Sequence, residues 1–276
     1  MKYRIEKDSL GDVKVPADAL WGAQTQRALE NFKISGIKFT FPFGRSFIEA
    51  LGVIKYSAAS SNQTLKLLSA KKANAIKNAS KAVIKGDYDD SFPLDVFQTG
   101  SGTSTNMNAN EVIANVASAK SKTAIAANDD VNMSQSSNDV IPTAICISSL
   151  LDMERLLLPN LDILIDAIDT KMKEVKGNVK TGRTHLMDAM PIDFSQELSG
   201  WKAQLTSSKK SLKAASARML ELPQGGTAIG TGINTHKDFS KHFCSEVNAL
   251  TGLKTKQAKN FFQGLSSVDN AVELSS

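Results

Sequence analysis

The sequence predicts a mainly α protein, and three observations carry that prediction. Two apolar seams each run for about thirty residues at helical spacing, a shorter seam of the same kind lies near residue 50, and Gly/Ser/Thr/Asn clusters sit where helices should begin.

The first fifteen residues are charged and irregular and end at Val15-Pro16, and the segment from Gly36 to Phe43 carries Gly and Pro. Both read as extended or turn segments that can hold short strands. Phe47, Leu51, Ile54, Ala58, Ser61, Leu65 and Leu68 then recur at steps of four and three, which predicts a helix over about 45–69. A polar helix follows near 71–85, then a loop with Gly86 and Pro93. The run from Thr99 to Asn110 opens another helix into Glu111-Val112-Ile113.

The longest seam starts after Ser136. It passes through Val140, Ala144, Ile147, Leu151, Leu158, Leu161, Ile165, Ile168, Met172 and Val175, with Glu154 as its polar interruption. Pro142 falls in the first turn, where a missing N–H costs nothing, whereas Pro159 is interior and should kink the helix. A second seam runs from Phe194 to Leu222, bracketed by Pro191 and Pro223. A third pattern, Phe261, Leu265, Val268 and Val272, covers barely three turns before the last residue, so the sequence reads as part of a longer bundle. Helices of this length need partners along their sides, because isolated helices are marginal. The expected organisation is an amino-terminal domain over 1–135 and an incomplete helical-bundle domain over 136–276.

Composition narrows the function classes. There are 33 basic and 28 acidic residues, but the lysines are scattered apart from Lys202, Lys209, Lys210 and Lys213, which read as one solvated helix face. With aromatics at 6%, the sequence lacks the basic patch and stacking residues of a nucleic-acid reader, so no nucleic-acid partner is expected. Cys146 and Cys244 have no metal-type spacing and read as buried free thiols. No segment is apolar for a membrane-spanning length and no secretory signal is visible, which makes a cytoplasmic protein without a membrane partner the expectation.

Three polar clusters interrupt the scaffold: Gln98 to Asn106, Ser134 to Asp139, and Gly182 to His185. The first two precede helices, where hydroxyls and free first-turn N–H groups can face a carboxylate or phosphate, although for either cluster taken alone simple capping is the preferred reading. A lone histidine is more often a structural hydrogen-bonder than a catalyst, and for His185 the neighbours Arg183, Thr184 and Asp188 add weight to chemistry. His236 and His242 are six residues apart with no carboxylate or thiol cluster, so no metal is expected.

Several blocks together resemble the fumarase/aspartase superfamily. They are Trp21 to Arg27 followed by Asn31-Phe32, Gln98 to Asn110 (QTGSGTSTNMNAN), Asn128 to Asp139 (NDDVNMSQSSND), Gly182 to Asp188 (GRTHLMD) and Gly225 to His236 (GGTAIGTGINTH). Aspartases typically carry Gln at the position of His185, so the chain looks like a class II fumarase, with aspartase and a catalytically inactive fragment as the alternatives. The resemblance implies a fumarase/aspartase-like fold, a homotetramer, no cofactor, and reversible hydration of fumarate, a small dicarboxylate, to L-malate in the tricarboxylic acid cycle. It further implies that Ser101, Gly102, Thr103, Ser136, Ser137, Asn138 and Thr184 hold the substrate carboxylates. His185 would act as acid/base from a neighbouring subunit. The family usually has His-Pro before the Asn-Asp of its second anion site. Here Ala126-Ala127 precede Asn128 and Asp129, which implies a weakened or lost second site. The family's GSSxMPxKxN loop would lie beyond residue 276.

Overall fold

The first strands are where the charged opening allows them. In a computed structural model describing residues 2–38 and 44–276, β1 (Tyr3–Asp8) and β2 (Gly11–Pro16) pair antiparallel, from Tyr3 opposite Pro16 to Asp8 opposite Gly11. Val13 and Val15 turn inward and pack with Ala23 as a small satellite of the core. Arg4 pins the exit of the hairpin by donating to the carbonyls of Pro16, Ala19 and Trp21. Of the extended segment expected over Gly36 to Phe43, Lys38 forms an isolated bridge with Asp95, and residues 39–43 lie outside the described residues.

Helices supply the rest: α1 (Ala23–Asn31), α2 (Arg45–Thr64), α3 (Ala70–Lys85), α4 (Thr103–Ser121), α5 (Ser137–Asp152), α6 (Leu158–Glu174), α7 (Phe194–Met219) and α8 (Phe239–Thr251). The predicted 45–69 and 71–85 helices are α2 and α3. Ser69 caps α3 by accepting from Lys72 N, and Gly86 ends it at φ +91.

α2 is the axis of the core. Its Ile48, Leu51 and Ile54 are fully buried in one cluster with Ile76 of α3, Ile113 of α4, Ile147 and Leu151 of α5, and Phe239 and Phe243 of α8. Residues from both sides of position 135 therefore share a single apolar cluster. Cys146 and Cys244 are buried free thiols, and burial pushes each thiol up to about 11.

The long seam behaves as a helix with one fault, and Pro142, expected in the first turn, lies inside α5 because the helix already begins at Ser137. α5 and α6 are joined by a π-helical turn over Met153–Leu157, immediately before the kink expected at Pro159. Pro159 cannot donate to the carbonyl of Arg155, four residues back, and its ring would collide with that group; the widened turn accommodates both. α7 packs along α6 as an antiparallel partner, and two of the lysines read as a solvated face are ion-paired: Lys202 with Asp169 and Lys209 with Asp162. Between α6 and α7 stands a hairpin with no turn signal in the sequence, β3 (Val179–Thr184) and β4 (Met187–Asp193).

The third apolar pattern is not one helix. It divides into α9 (Phe261–Ser266) and α10 (Asp269–Ser275) because Ser267 adopts extended backbone, φ −142 and ψ 144, and its hydroxyl accepts from Asp269 N at 3.2 Å. Serine competes here with helical bonding, as short hydroxyl side chains do. Two short strands, β5 (Glu221–Leu222) and β6 (Lys256–Gln257), pair in parallel beside α8.

Candidate active site

The starts of α4 and α5 meet at one open cavity of about 460 Å³, and every residue lining it is uncharged. α4 approaches α5 through Gly102, whose φ is +68 and whose absent Cβ would lie 2.8 Å from Ile141 Cγ1. A side chain there would push the two helix starts apart. The first turn of α4 is capped from upstream: Gln98 Oε1 accepts from Thr105 N at 2.9 Å and Thr99 Oγ1 from Ser104 N at 3.4 Å. Ser101 and Thr103 share a hydroxyl hydrogen bond of 2.9 Å at the rim.

α5 opens with a capping box. Ser136 Oγ accepts from Asn138 N, and Asp139 Oδ1 accepts from Ser136 N at 2.9 Å. The other carboxylate oxygen of the fully buried Asp139 accepts from Gly225 N and Thr227 N, each at 2.9 Å. Asn138 Nδ2 donates to Ala228 O at 2.7 Å, so the 223–236 segment is stitched across the start of α5. Gly225 is required there, since a Cβ would stand 2.0 Å from Ser240 Oγ. Burial raises the Asp139 pKa, and the three backbone N–H bonds and the field of Lys55 work against that rise.

Beneath the cavity floor lies a cation. Lys55 is completely buried, and its Nζ donates to Asn106 Oδ1 at 2.7 Å, Asn132 Oδ1 at 3.0 Å and Gln135 Oε1 at 3.0 Å. Burial lowers its pKa to about 7, against the opposing pull of Asp139. Asn106 Nδ2 in turn donates to Ser137 Oγ at 2.9 Å. A second buried charge, Glu111, fixes the start of α1: its oxygens accept from the N–H groups of Gly22, Gln24 and Thr25 and from the Thr25 hydroxyl at 2.6 Å. That places Gln24 on the cavity wall.

The structure thus brings Thr103, Ser136, Ser137, Asn138 and Asn128 to one cavity, with Ser101 and Gly102 at its edge. Asp129 is exposed beside Asn128, in a π-helical turn over Ala127–Val131. Thr184 and His185 are elsewhere: both are exposed at the tip of the β3–β4 hairpin. His185 and Leu186 form its two-residue turn with φ +50 and +64, the paired positive angles such turns demand. The helix from Ser137 to Glu174 extends roughly 55 Å at 1.5 Å per residue. A seven-residue strand returns only about 23 Å, so the hairpin tip does not reach the cavity of its own chain. Among the described residues, no cluster of His, Cys, Asp and Glu is placed to hold a metal ion, and no helix is long and apolar enough to cross a membrane.

Sequence reasoning did not assign Lys55, Asn106, Asn132, Asp139 or Glu111. One signal was present for Lys55: it is the lone charge between Glu49 and Lys66 in an otherwise uncharged helical stretch.

The fold is mainly α, its polar helix starts converge on a cavity of neutral donors, and the lyase family model matches residues 11–276. The chain belongs to that lyase family. It is 53% identical over 274 residues to a fumarate hydratase class II from Xylella fastidiosa, covering 99% of this chain and 57% of that protein. A second fumarate hydratase class II, from Bacillus subtilis, is 47% identical, covering 98% of this chain and 58% of its own length. Among solved structures, the class II fumarase of Schistosoma mansoni superimposes with a TM-score of 0.95 at 37% identity, over 99% of this chain and 61% of that one. The fold is therefore fumarase/aspartase-like, and the chain spans under two thirds of the length of the relatives it matches.

Proposed function

We propose that the protein to which this chain belongs is a hydro-lyase that reversibly hydrates fumarate to L-malate, a reaction of the tricarboxylic acid cycle, as a cytoplasmic homotetramer. The observation that carries the reading is the meeting of Thr103, Ser136, Ser137 and Asn138 at one cavity without a charged lining residue. Removing the proton beside a carboxylate builds negative charge on that carboxylate. Fixed neutral donors stabilise such charge without neutralising a nearby base. The positive ends of the α4 and α5 dipoles act in the same direction.

In this reading Ser101, Gly102 and Thr103 form one wall of the carboxylate site and Ser136, Ser137 and Asn138 the other. Thr184 and His185 come from the hairpin of another copy, and the length of α5–α6 supports that origin. Histidine titrates near neutrality and suits proton transfer at the hydroxyl-bearing carbon. Asn128 and Asp129 form a vestigial second anion site. Residues 1–135 anchor the cavity and residues 136–276 carry the long helices that reach towards other copies.

Fumarate absorbance, followed with the protein at its relatives' full length and with the 276-residue chain beside it, tests the proposal. Turnover in the longer form supports it, and absence of turnover there with a folded tetramer overturns it. His185→Asn in the longer form is expected to lower turnover by about a hundredfold or more while leaving thermal stability unchanged.

A further inference from the structure

We propose that Lys55 is a positioning residue that sets the direction of a buried hydrogen-bond relay, so that the hydroxyl of Ser137 donates into the cavity towards a bound carboxylate. The inference deepens the dicarboxylate reading of that cavity and rests on it.

The relay follows from donor counting. A protonated lysine carries three N–H donors and no acceptor, and here it meets three amide oxygens, on Asn106, Asn132 and Gln135. With Oδ1 of Asn106 turned to Lys55, Nδ2 has its two N–H groups free to donate, one to Ser137 Oγ at 2.9 Å and the other to Asn132 Oδ1 at 3.2 Å. Ser137 Oγ is thereby an acceptor towards the interior. Its own O–H has no acceptor among the described residues, and Ser137 lines the cavity. One buried proton thus fixes the orientation of a hydroxyl two hydrogen bonds away.

Loss of that proton reverses the logic. Neutral Lys55 has two N–H donors and one lone pair, which cannot satisfy three amide oxygens. Turning the Asn106 amide places its N–H on that lone pair and its carbonyl against Ser137, whose hydroxyl then donates inward, away from the cavity.

Few charges surround Lys55 to complicate its titration. Asp139 of α5 is the charged group whose field reaches it. α4 and the 127–135 segment contribute amides, while Glu111 of α4 is held by α1 and Asp130 by Lys72 at 2.7 Å. α3 and α8 face the core with Ile76, Phe239 and Phe243, leave Lys71, Lys81 and Lys241 exposed, and keep His242 and Glu246 half-buried. On the same helix, Glu49 is paired with Arg155. Because burial brings the Lys55 pKa to about 7, the relay switches within the physiological range.

The test uses the 276-residue chain and succinate, an unreactive dicarboxylate. NMR of isotope-labelled lysine and asparagine side chains follows Lys55 and Asn106 as the pH is raised, and calorimetry measures succinate affinity at each pH. Without ligand, the Asn106 side-chain amide is expected to titrate with the Lys55 midpoint. Succinate should raise that midpoint by about one unit, with affinity about tenfold weaker well above the midpoint than below it, because linkage is reciprocal. Asn106→Leu should leave Lys55 titrating but remove the pH dependence of binding. An Asn106 amide that stays flat while Lys55 titrates overturns the relay, as does succinate binding equally on both sides of the midpoint. If succinate binds neither this chain nor the longer form at any pH, the dicarboxylate reading of the cavity fails, and the ligand-free Asn106 titration still decides the relay.

Discussion

The two ends of the long helix that begins at Ser137 are built on different physical terms. At the α5 end, buried polar groups are tied to one another within the chain: Asp139 to Gly225 and Thr227, Lys55 to three amides, Glu111 to the start of α1. At the α6–α7 end, Leu156, Ile163 and Trp201 are more than half exposed, and the ties between helices are ion pairs at or near the surface. The first end is specified by hydrogen-bond satisfaction in low dielectric, which is strong and directional. The second is specified by an apolar stripe and screened charges, which are not. The proposed carboxylate site lies at the first end, where its donors are held in one orientation.

Substitutions can break this contrast if it is wrong. Glu111→Ala strips the acceptor from three backbone N–H groups and a hydroxyl, and it should cost the most, about 3–5 kcal/mol in urea unfolding. Ile147→Ala in the core should cost about 3 kcal/mol, whereas Leu164→Ala on α6 should fall below about 1 kcal/mol; equal losses would show that the two ends are built alike. Gly102→Ala forces a Cβ against Ile141 at positive φ and should cost about 1–3 kcal/mol while weakening succinate binding at the cavity.

Leu186→Gly should relieve the strained hairpin turn and gain at most about 1 kcal/mol, read as a small rise in melting temperature. The smallest effect is acidic. Hydrogen bonds from Lys173 and Lys202 hold the Asp169 carboxyl down to about 2, so its contribution is present above the ordinary carboxylate pKa near 4 and is lost as pH falls through about 2. Amide exchange in α6 and α7 should quicken over that window, and Lys202→Gln should flatten the response.

Those differences also explain what could be read in advance. The core helices α2 and α5 were legible because burial writes a four-three rhythm; the same rhythm marks the largely exposed α7, while α3 was read only as a polar helix. The serine and threonine clusters were legible as helix starts because short oxygen-bearing side chains cap. The Lys55 relay was not legible, since Asn106 and Asn132 meet Lys55 only through the packing of α2 against α4 and the loop before α5. The β3–β4 hairpin was hidden for a local reason: its turn is His185-Leu186, with neither Asn nor Gly at positions that need positive φ. The division between α9 and α10 was missed because an apolar spacing that suits one helix overlooked Ser267 as a cap.

The π-helical turn at Met153–Leu157 also acts as a phase shifter. One extra residue in a turn advances every following side chain by about 100° around the axis. The seam keeps its spacing through its polar interruption at Glu154, yet Ile147 and Leu151 are buried in the core while Leu161, Ile165 and Ile168 are only half-buried. The turn therefore works like a keyed coupling between two shafts, fixing the compass bearing at which the distal hairpin, and His185 with it, is presented to whatever approaches.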